Sequence, residues 1–444
     1  MGSQMIGPIH RPVAFDMALS MLGAPRFISA LATATITTAV LTFLIRQTIG
    51  WPGLIAMLVL LVVLMAGAMI ARRDTIEWNG LLPVSLLIFV GWAGLSLLWS
   101  DYRGATVQGL AYLGCFTALG IGIALLRDTI QIVRAFGDVL RIVLALSLAL
   151  EIISGLLIDT PISFLDIQGN LDTFGPIQGV FGARNQLGLI AVLAVVTFLI
   201  EFRTRSVHPW LATGSLILSG VILLFSRSPL VGGALAVTIV AAAILYLVRR
   251  ASPERRRVLQ AALLALSGVA VVTAWSLRSI IIDISNAGGE LSYRLSVWMR
   301  AWDLIQLHPI QGWGWIGSWR GQTAPYQFFA SVQSRVPESA TNAFVDVWLQ
   351  LGLVGLAIFL GLVMLTFTRS WLLASRQRSV VYTWPALIVV VLGITALAES
   401  SLIVEFGWLT FVVCSVKAAH SLSWRTAFRE LRDATAPGTT PGAR

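Results

Sequence analysis

Apolar residues in this chain come in long unbroken blocks separated by short polar segments, and they do not alternate with polar ones. Alternation would mark half-buried or barrel strands, whereas an unbroken block of about 20 residues marks a helix that crosses a bilayer. Lipid admits only helices and closed barrels, because no water is there to satisfy a free backbone group. The blocks fall at 27–45, 51–71, 80–99, 105–126, 138–157, 185–202, 209–225, 229–248, 258–277, 343–367, 380–398 and 402–420. They predict an all-α polytopic membrane protein with about twelve transmembrane helices. The chain divides into a segment of 1–26, helices one to nine over 27–277, a long polar loop over 278–342, helices ten to twelve over 343–420 and a tail over 421–444. The end of the tail, 434–444, is rich in Pro, Gly and Thr and is expected to be disordered.

Charge sets the orientation. With the N-terminus placed in the cytoplasm, most of the 31 lysines and arginines fall on inner segments, as the positive-inside rule requires. Both termini are then cytoplasmic and the loop over 278–342 is extracytoplasmic. The outer exceptions are Arg46, Arg103, Arg184, Arg227, Arg278, Arg294, Arg300, Arg320 and Arg335. The inner bias accounts for most of the net charge of +10, so no nucleic-acid partner is implied. Residues are 57% hydrophobic and 12% charged, with a mean hydropathy of +0.83, which makes membrane lipids the surroundings of nearly every block. The first block lacks the short core and cleavage site of a signal peptide and reads as an uncleaved helix. Cys115 and Cys414 lie inside blocks, so they form no secretory disulfide framework, and no Cys/His spacing suggests a metal. No 20–50-residue repeat is present.

The loop concentrates the polar chemistry. Residues 290–306 have helical periodicity, with Leu291, Leu295, Trp298, Trp302 and Ile305 on one face and Arg294, Arg300 and Asp303 off it or at its edge. This predicts an amphipathic helix lying along the outer membrane surface, tryptophans at headgroup depth. His308 and Pro309 end it, because the residue before proline is pushed out of the α region.

Arginine presents a planar fork of donors that matches phosphate oxygens, although the chain has a single lysine and its choice of arginine is partly composition. Arg184 and Arg227 sit at block ends, where a cation either snorkels to the interface or faces a polar cavity. Glu290 and Arg294, four apart, have the spacing of a helix ion pair. Trp298 and its neighbours serve as interface anchors or as sugar-stacking platforms, and His308 as a terminator or a base. Glu338, just before the tenth block, is a candidate general base for a sugar hydroxyl, or a solvated loop acid. Glu399 lies in a tight turn where it could orient an arginine or bind a hydroxyl. Glu151 and Glu405 fall within blocks and require polar partners.

Taken in order, these segments resemble the bacterial O-antigen ligase and Wzy-type polysaccharide polymerase superfamily, ExoQ-like exopolysaccharide polymerases in particular. LSLLWSDYRGATVQGL at 95–110 is similar to the family's Ser-x-x-Trp-Ser element, and includes Arg103. GVFGARNQLG at 179–188, with Arg184 and Asn185, resembles its glycine and asparagine motif, and FSRSPLVG at 225–232, with Arg227, its Ser-Arg turn. RLSVWMRAWDLIQLHPIQGWGWIG at 294–317 matches an Arg-x-x-x-Trp helix followed by His-Pro-x-x-Gly-x-Gly. SATNAFVDVWLQLGLVG, with Asn342, and ALAESSLIVEFGWL, with Glu399, resemble the last two elements.

The resemblance implies a polyprenyl-diphosphate-linked oligosaccharide as substrate, its diphosphate gripped by outer arginines, and neither a metal nor a free nucleotide. It leaves a chain-length regulator and a flippase open as partners. Members with ligase activity usually place a histidine before the asparagine that opens the helix after the long loop; here that residue is Thr341. Glu338 is then the nearest base, and polymerase is favoured over ligase. The site expected from the sequence has Glu338, Arg294 and Arg227 in catalytic roles. Arg103, Arg184, Asn185, Trp298, Arg300, His308, Asn342 and Glu399 bind substrate. The rival from another class is a polytopic transporter or flippase, which would use midplane groups such as Glu151.

Overall fold

A computed structural model describes residues 20–74, 83–172, 174–252, 288–329 and 331–420, together with Met17, Arg255 and Val258. The expected ninth span at 258–277, the first 16 residues and the tail beyond 420 lie outside the described residues. The elements, in chain order, are α1 Pro25–Val40, α2 Thr42–Ala71, α3 Val84–Leu95, α4 Arg103–Leu126, α5 Thr129–Ile152, α6 Arg184–Thr204, α7 Pro209–Ser226, α8 Pro229–Arg250, α9 Gly288–Leu307, α10 Ala343–Arg376, α11 Thr383–Thr395 and α12 Glu405–His420. Among the described residues seven helices are long and apolar enough to cross a membrane, and two shorter apolar ones, Val84–Leu98 and Val380–Thr395, accompany them. The chain is an all-α, multi-pass membrane protein.

The bundle is organised around α6, whose side chains are buried on nearly every face, including Leu187, Ile190, Leu193, Phe198 and Glu201. It packs against α5, α7 and α11, while α10 packs on α3, α11 and α12. The helices begin where the chain gives them caps. Pro209 and Pro229 open α7 and α8, where a missing N–H costs nothing. Ser228 caps α8 by accepting from Val231 N, and Asn342 caps α10 by accepting from Phe344 N and Val345 N. Glu151, inside the fifth block, is 1% exposed. It accepts from Gln178 N and Gly179 N, both at 2.7 Å, which pins the segment after α5 onto the bundle.

Two of the apolar helices are broken. Gly50, at φ 72°, kinks α2 just before Trp51 and Pro52. The break in α10 at Gly352, at φ 69°, has larger consequences. It frees backbone groups in an apolar setting, and the glycine-rich segment 309–317 inserts to meet them. Trp313 N donates to Leu349 O at 3.1 Å and Gly314 N to Gln350 O at 2.8 Å, while Leu353 N donates to Pro309 O at 2.8 Å. Trp92 Nε1 donates to Leu351 O at 3.1 Å. The Gln350 amide adds three bonds: its oxygen accepts from Ile316 N and Gly317 N, and its nitrogen donates to Gly317 O, each at 2.9 Å.

The loop helix α9 forms where periodicity placed it, and the face it buries in protein is largely apart from the one expected at the membrane surface. Tyr293, Arg294, Val297, Ala301, Leu304 and Ile305 are buried, whereas Leu295 and Trp302 are 45% and 47% exposed. The reason is that α9 has two apolar stripes. One packs with Ile316, Trp319, Tyr326, Phe329 and Leu349 into a small core of the loop itself. The other, with Leu295, Met299 and Trp302, remains free for the membrane surface.

A Cβ on Gly352 would overlap the Ile310 carbonyl oxygen and crowd Gln311 N. Gly352→Ala should therefore destabilise the protein by at least about 3 kcal/mol, combining left-handed strain with overpacking. Gly232→Ala, where a Cβ meets nothing within 4 Å, should stay within about 1 kcal/mol of wild type. Thermal unfolding in detergent, followed by tryptophan fluorescence, compares the two.

Candidate functional site

The first turns of α6, α8, α10 and α12 converge with the start of α9 at one end of the bundle, and two cavities open among them. Helix N-termini carry unpaired N–H groups and partial positive charge, so this end favours anions before any side chain is considered.

The first cavity, about 320 Å³, is lined by Arg184 and Asn185 from α6, Pro229 and Leu230 from α8, Gly289, Glu290, Leu291 and Arg294 from α9, with Arg335 and Ala398. Three guanidiniums thus face it against one carboxylate. Arg335 is held by Glu290 at 3.2 Å and stacks over Tyr293 at 4.9 Å. Burial raises the Tyr293 phenol above its ordinary value, partly countered by the Arg335 charge, so it stays neutral.

Arg294 is 6% exposed, and its position is fixed by three acceptors. It donates to Thr341 O at 3.1 Å, Glu290 Oε1 at 3.2 Å and Glu399 Oε1 at 3.0 Å. Glu399 Oε1 also accepts from Asn185 Nδ2 at 2.8 Å, and Asn185 Oδ1 accepts from Ser228 Oγ at 2.7 Å. This chain of charge-assisted bonds ties α6, α8, α9 and the turn before α12 together.

The second cavity, about 300 Å³, lies on the other side of Glu399. It is lined by Glu338, Glu399, Glu405 and Arg46, by the hydroxyl residues Ser318, Ser339, Ser400 and Ser401, and by Gln186. Glu405 accepts from Tyr112 Oη at 3.0 Å and lies 3.8 Å from Arg46. Three carboxylates face this chamber against one guanidinium. The wall of Arg294, Glu399 and Asn185 therefore separates a cation-lined chamber from a carboxylate-lined one.

Of the residues expected from sequence, Arg184, Asn185, Arg294, Glu338 and Glu399 line the two chambers. The others stand elsewhere. Arg103 is exposed at the start of α4, and Arg227 is exposed in the turn beside Ser228, at φ 45°. Arg300 donates to Phe328 O at 3.2 Å and Ser331 O at 2.8 Å, which fixes the loop after the 3₁₀ turn Tyr326–Phe329. Trp298 Nε1 donates to Ala340 O at 2.8 Å. His308 packs edge-on against Trp313, with ring centroids 4.3 Å apart. Asn342 spends its oxygen on the α10 cap and its nitrogen on Leu397 O at 3.0 Å.

Four lining or supporting groups were not singled out as site residues: Arg46, Arg335, Glu405 and Asp346. Asp346 is fully buried and accepts from Ala340 N at 3.0 Å and from the Ser400 hydroxyl, which joins the end of the loop to the turn that carries Glu399. An acid in the first turn of an apolar helix was the available signal for it.

Residues 212–360 match the family described as O-Antigen ligase. No curated protein sequence matches the chain. The match bears out the resemblance to the O-antigen ligase and Wzy-type superfamily and supports a ligase-like or polymerase function in polysaccharide synthesis. It covers α7 to the first half of α10, and so takes in Arg294, Arg335 and Glu338, while Arg46, Arg184, Glu399 and Glu405 come from outside it.

Removing Arg294 leaves the Thr341 carbonyl and two carboxylates short of a donor. Arg294→Ala should cost about 3–5 kcal/mol, as for other broken buried ion pairs. Arg294→Lys, which keeps the charge but not the fork, should fall between it and wild type. Arg103→Ala removes an exposed cation from a helix N-terminus and should leave the melting temperature unchanged within about 1 °C. Melting of the three variants in one detergent tests the ranking.

Proposed function

We propose that the protein is a membrane glycosyltransferase that polymerises polyprenyl-diphosphate-linked oligosaccharide repeats on the outer side of the bacterial cytoplasmic membrane. The observation that carries this reading is the pairing of a chamber lined by Arg184, Arg294 and Arg335 with one lined by Glu338, Glu399 and Glu405. Guanidiniums and helix N-termini suit a diphosphate. Carboxylates suit sugar hydroxyls and the removal of a proton from one of them.

In the reaction, the acceptor hydroxyl oxygen attacks the anomeric carbon of the donor sugar. A glycosidic bond forms, the bond from that carbon to the diphosphate oxygen breaks, and the lipid diphosphate leaves with the electron pair. The arginines stabilise the charge that develops on the leaving group, which is electrostatic catalysis. The hydroxyl proton passes to Glu338. Glu338 suits this task because the other two carboxylates already accept hydrogen bonds from side chains: Glu399 from Arg294 and Asn185, Glu405 from Tyr112. Among the described residues the Glu338 carboxylate has no such hydrogen-bond partner.

The family's description favours a second reading, transfer of a finished glycan to a lipid, protein or wall acceptor. A transporter is the reading from another class. Purified protein in liposomes, given native polyprenyl-diphosphate oligosaccharide, distinguishes the three. A ladder of longer lipid-linked glycans supports polymerase, and single transfer to an added acceptor supports ligase. Movement of substrate without a new bond overturns both. Glu338→Gln should lower kcat by about 10²-fold or more with KM little changed.

A further inference from the structure

We infer that the carboxylate-lined chamber seats the terminal neutral sugar of the acceptor, and that Arg46 and Glu405 are its positioning pair, holding two neighbouring hydroxyls. This rests on the glycosyltransferase reading and gives a role to two groups that the reading leaves unused. The donor diphosphate is excluded from this chamber by its three carboxylates, so the chamber is free for an uncharged partner. At about 300 Å³ it is at the small end of ligand sites, which run to about 1,000 Å³.

The pair is built to be open. Arg46 Nη1 is 3.8 Å from Glu405 Oε1, beyond a direct hydrogen bond, so both groups keep capacity for a ligand. A carboxylate accepts from one sugar hydroxyl while a guanidinium donates to the oxygen of the next, a match that a vicinal diol satisfies and a phosphate does not. Both groups are also held in place. The Arg46 guanidinium lies 5.1 Å over the Trp51 ring, on the short stretch before the Gly50 kink. Glu405 has its Oε1 fixed by Tyr112, 3.0 Å away. Its backbone adopts φ 48°, a left-handed conformation that a non-glycine residue pays for, and such strain collects at binding sites. Glu338 lines the same chamber, so a sugar held by this pair presents a hydroxyl within the base's cavity.

The test separates acceptor from donor. Lipid-linked oligosaccharide serves as donor, and the same oligosaccharide, released from lipid and fluorescently labelled, serves as acceptor. Glu405→Gln should raise KM for the labelled acceptor about tenfold and shift KM for the lipid-linked donor less than twofold. Arg46→Gln should do the same, and Arg46→Lys should recover part of the loss. Should Glu405→Gln fail to fold, Arg46→Gln carries the test, since Arg46 is partly exposed. Equal shifts in both KM values, or none in the acceptor's, overturn the pair's role while leaving the glycosyltransferase reading intact. Wild-type protein that never turns over the donor overturns both.

Discussion

The break in α10 at Gly352 is the constraint from which the rest of the site's geometry follows. A helix interrupted inside an apolar bundle exposes backbone N–H and C=O groups that water cannot reach, each costing several kcal/mol if left alone. The segment 309–317 satisfies them through Trp313, Gly314 and Pro309 on the main chain, and the Gln350 side chain holds the segment by its own backbone at Ile316 and Gly317. That insertion fixes where the long loop leaves the bundle. Its return is fixed as well, by Trp319 N on Glu338 O at 2.7 Å and Ala340 N on Asp346 at 3.0 Å. Glu338 is thus positioned by its own main chain, which leaves its carboxylate free to work.

Electrostatics then divides the space that the break creates. Buried opposite charges tolerate low dielectric only when they are paired and hydrogen-bonded, and Arg294 meets that requirement with Glu290, Glu399 and Thr341 O. Because Glu399 takes both Arg294 and Asn185, it lies between a chamber with three guanidiniums and one carboxylate and a chamber with three carboxylates and one guanidinium. The first turns of α6, α8 and α9 line the cation chamber and raise its potential without adding side chains. The proposed transfer of a glycosyl group from a diphosphate to a hydroxyl would use both signs of charge, one for the leaving group and one for the nucleophile. Glu151, the midplane group that a transporter would use, accepts from Gln178 N and Gly179 N.

Much of this was legible in the chain, for physical reasons that differ by residue. Unbroken apolar blocks gave the helices, since nothing else satisfies their backbone in lipid, and periodicity placed α9. The stripe of α9 that packs on protein was not anticipated, because the periodicity of apolar residues marked only the stripe expected at the membrane surface. Arg184, Asn185, Glu338 and Glu399 stood out as charges or amides at or near block ends, and Arg294 as a cation in the loop helix four residues after Glu290. Gly352 did not, since a glycine inside an apolar run reads like any other until the partner segment is known. Arg46, Glu405 and Tyr112 belong to three separate helices, and no spacing rule connects residues that only tertiary packing brings together. Trp298, Arg300, His308 and Asn342 looked chemical and are engaged in bonds or packing that hold the loop.

Position 341 brings these threads together. Where ligases of the superfamily place a histidine, this chain has Thr341, at φ 50°, with its carbonyl accepting from Arg294. The backbone at this position therefore serves the cation chamber, and threonine has no group that could take up a proton at neutral pH. A base must come from elsewhere, and it must have free lone pairs facing the acceptor. On the proposed reading Glu399 is taken by Arg294 and Asn185, and Glu405 by Tyr112. Glu338 remains, three residues before Thr341 and across the partition from the arginines. On the proposed reading, Glu338 takes up the proton and Arg294 holds the leaving group on the other side of Glu399.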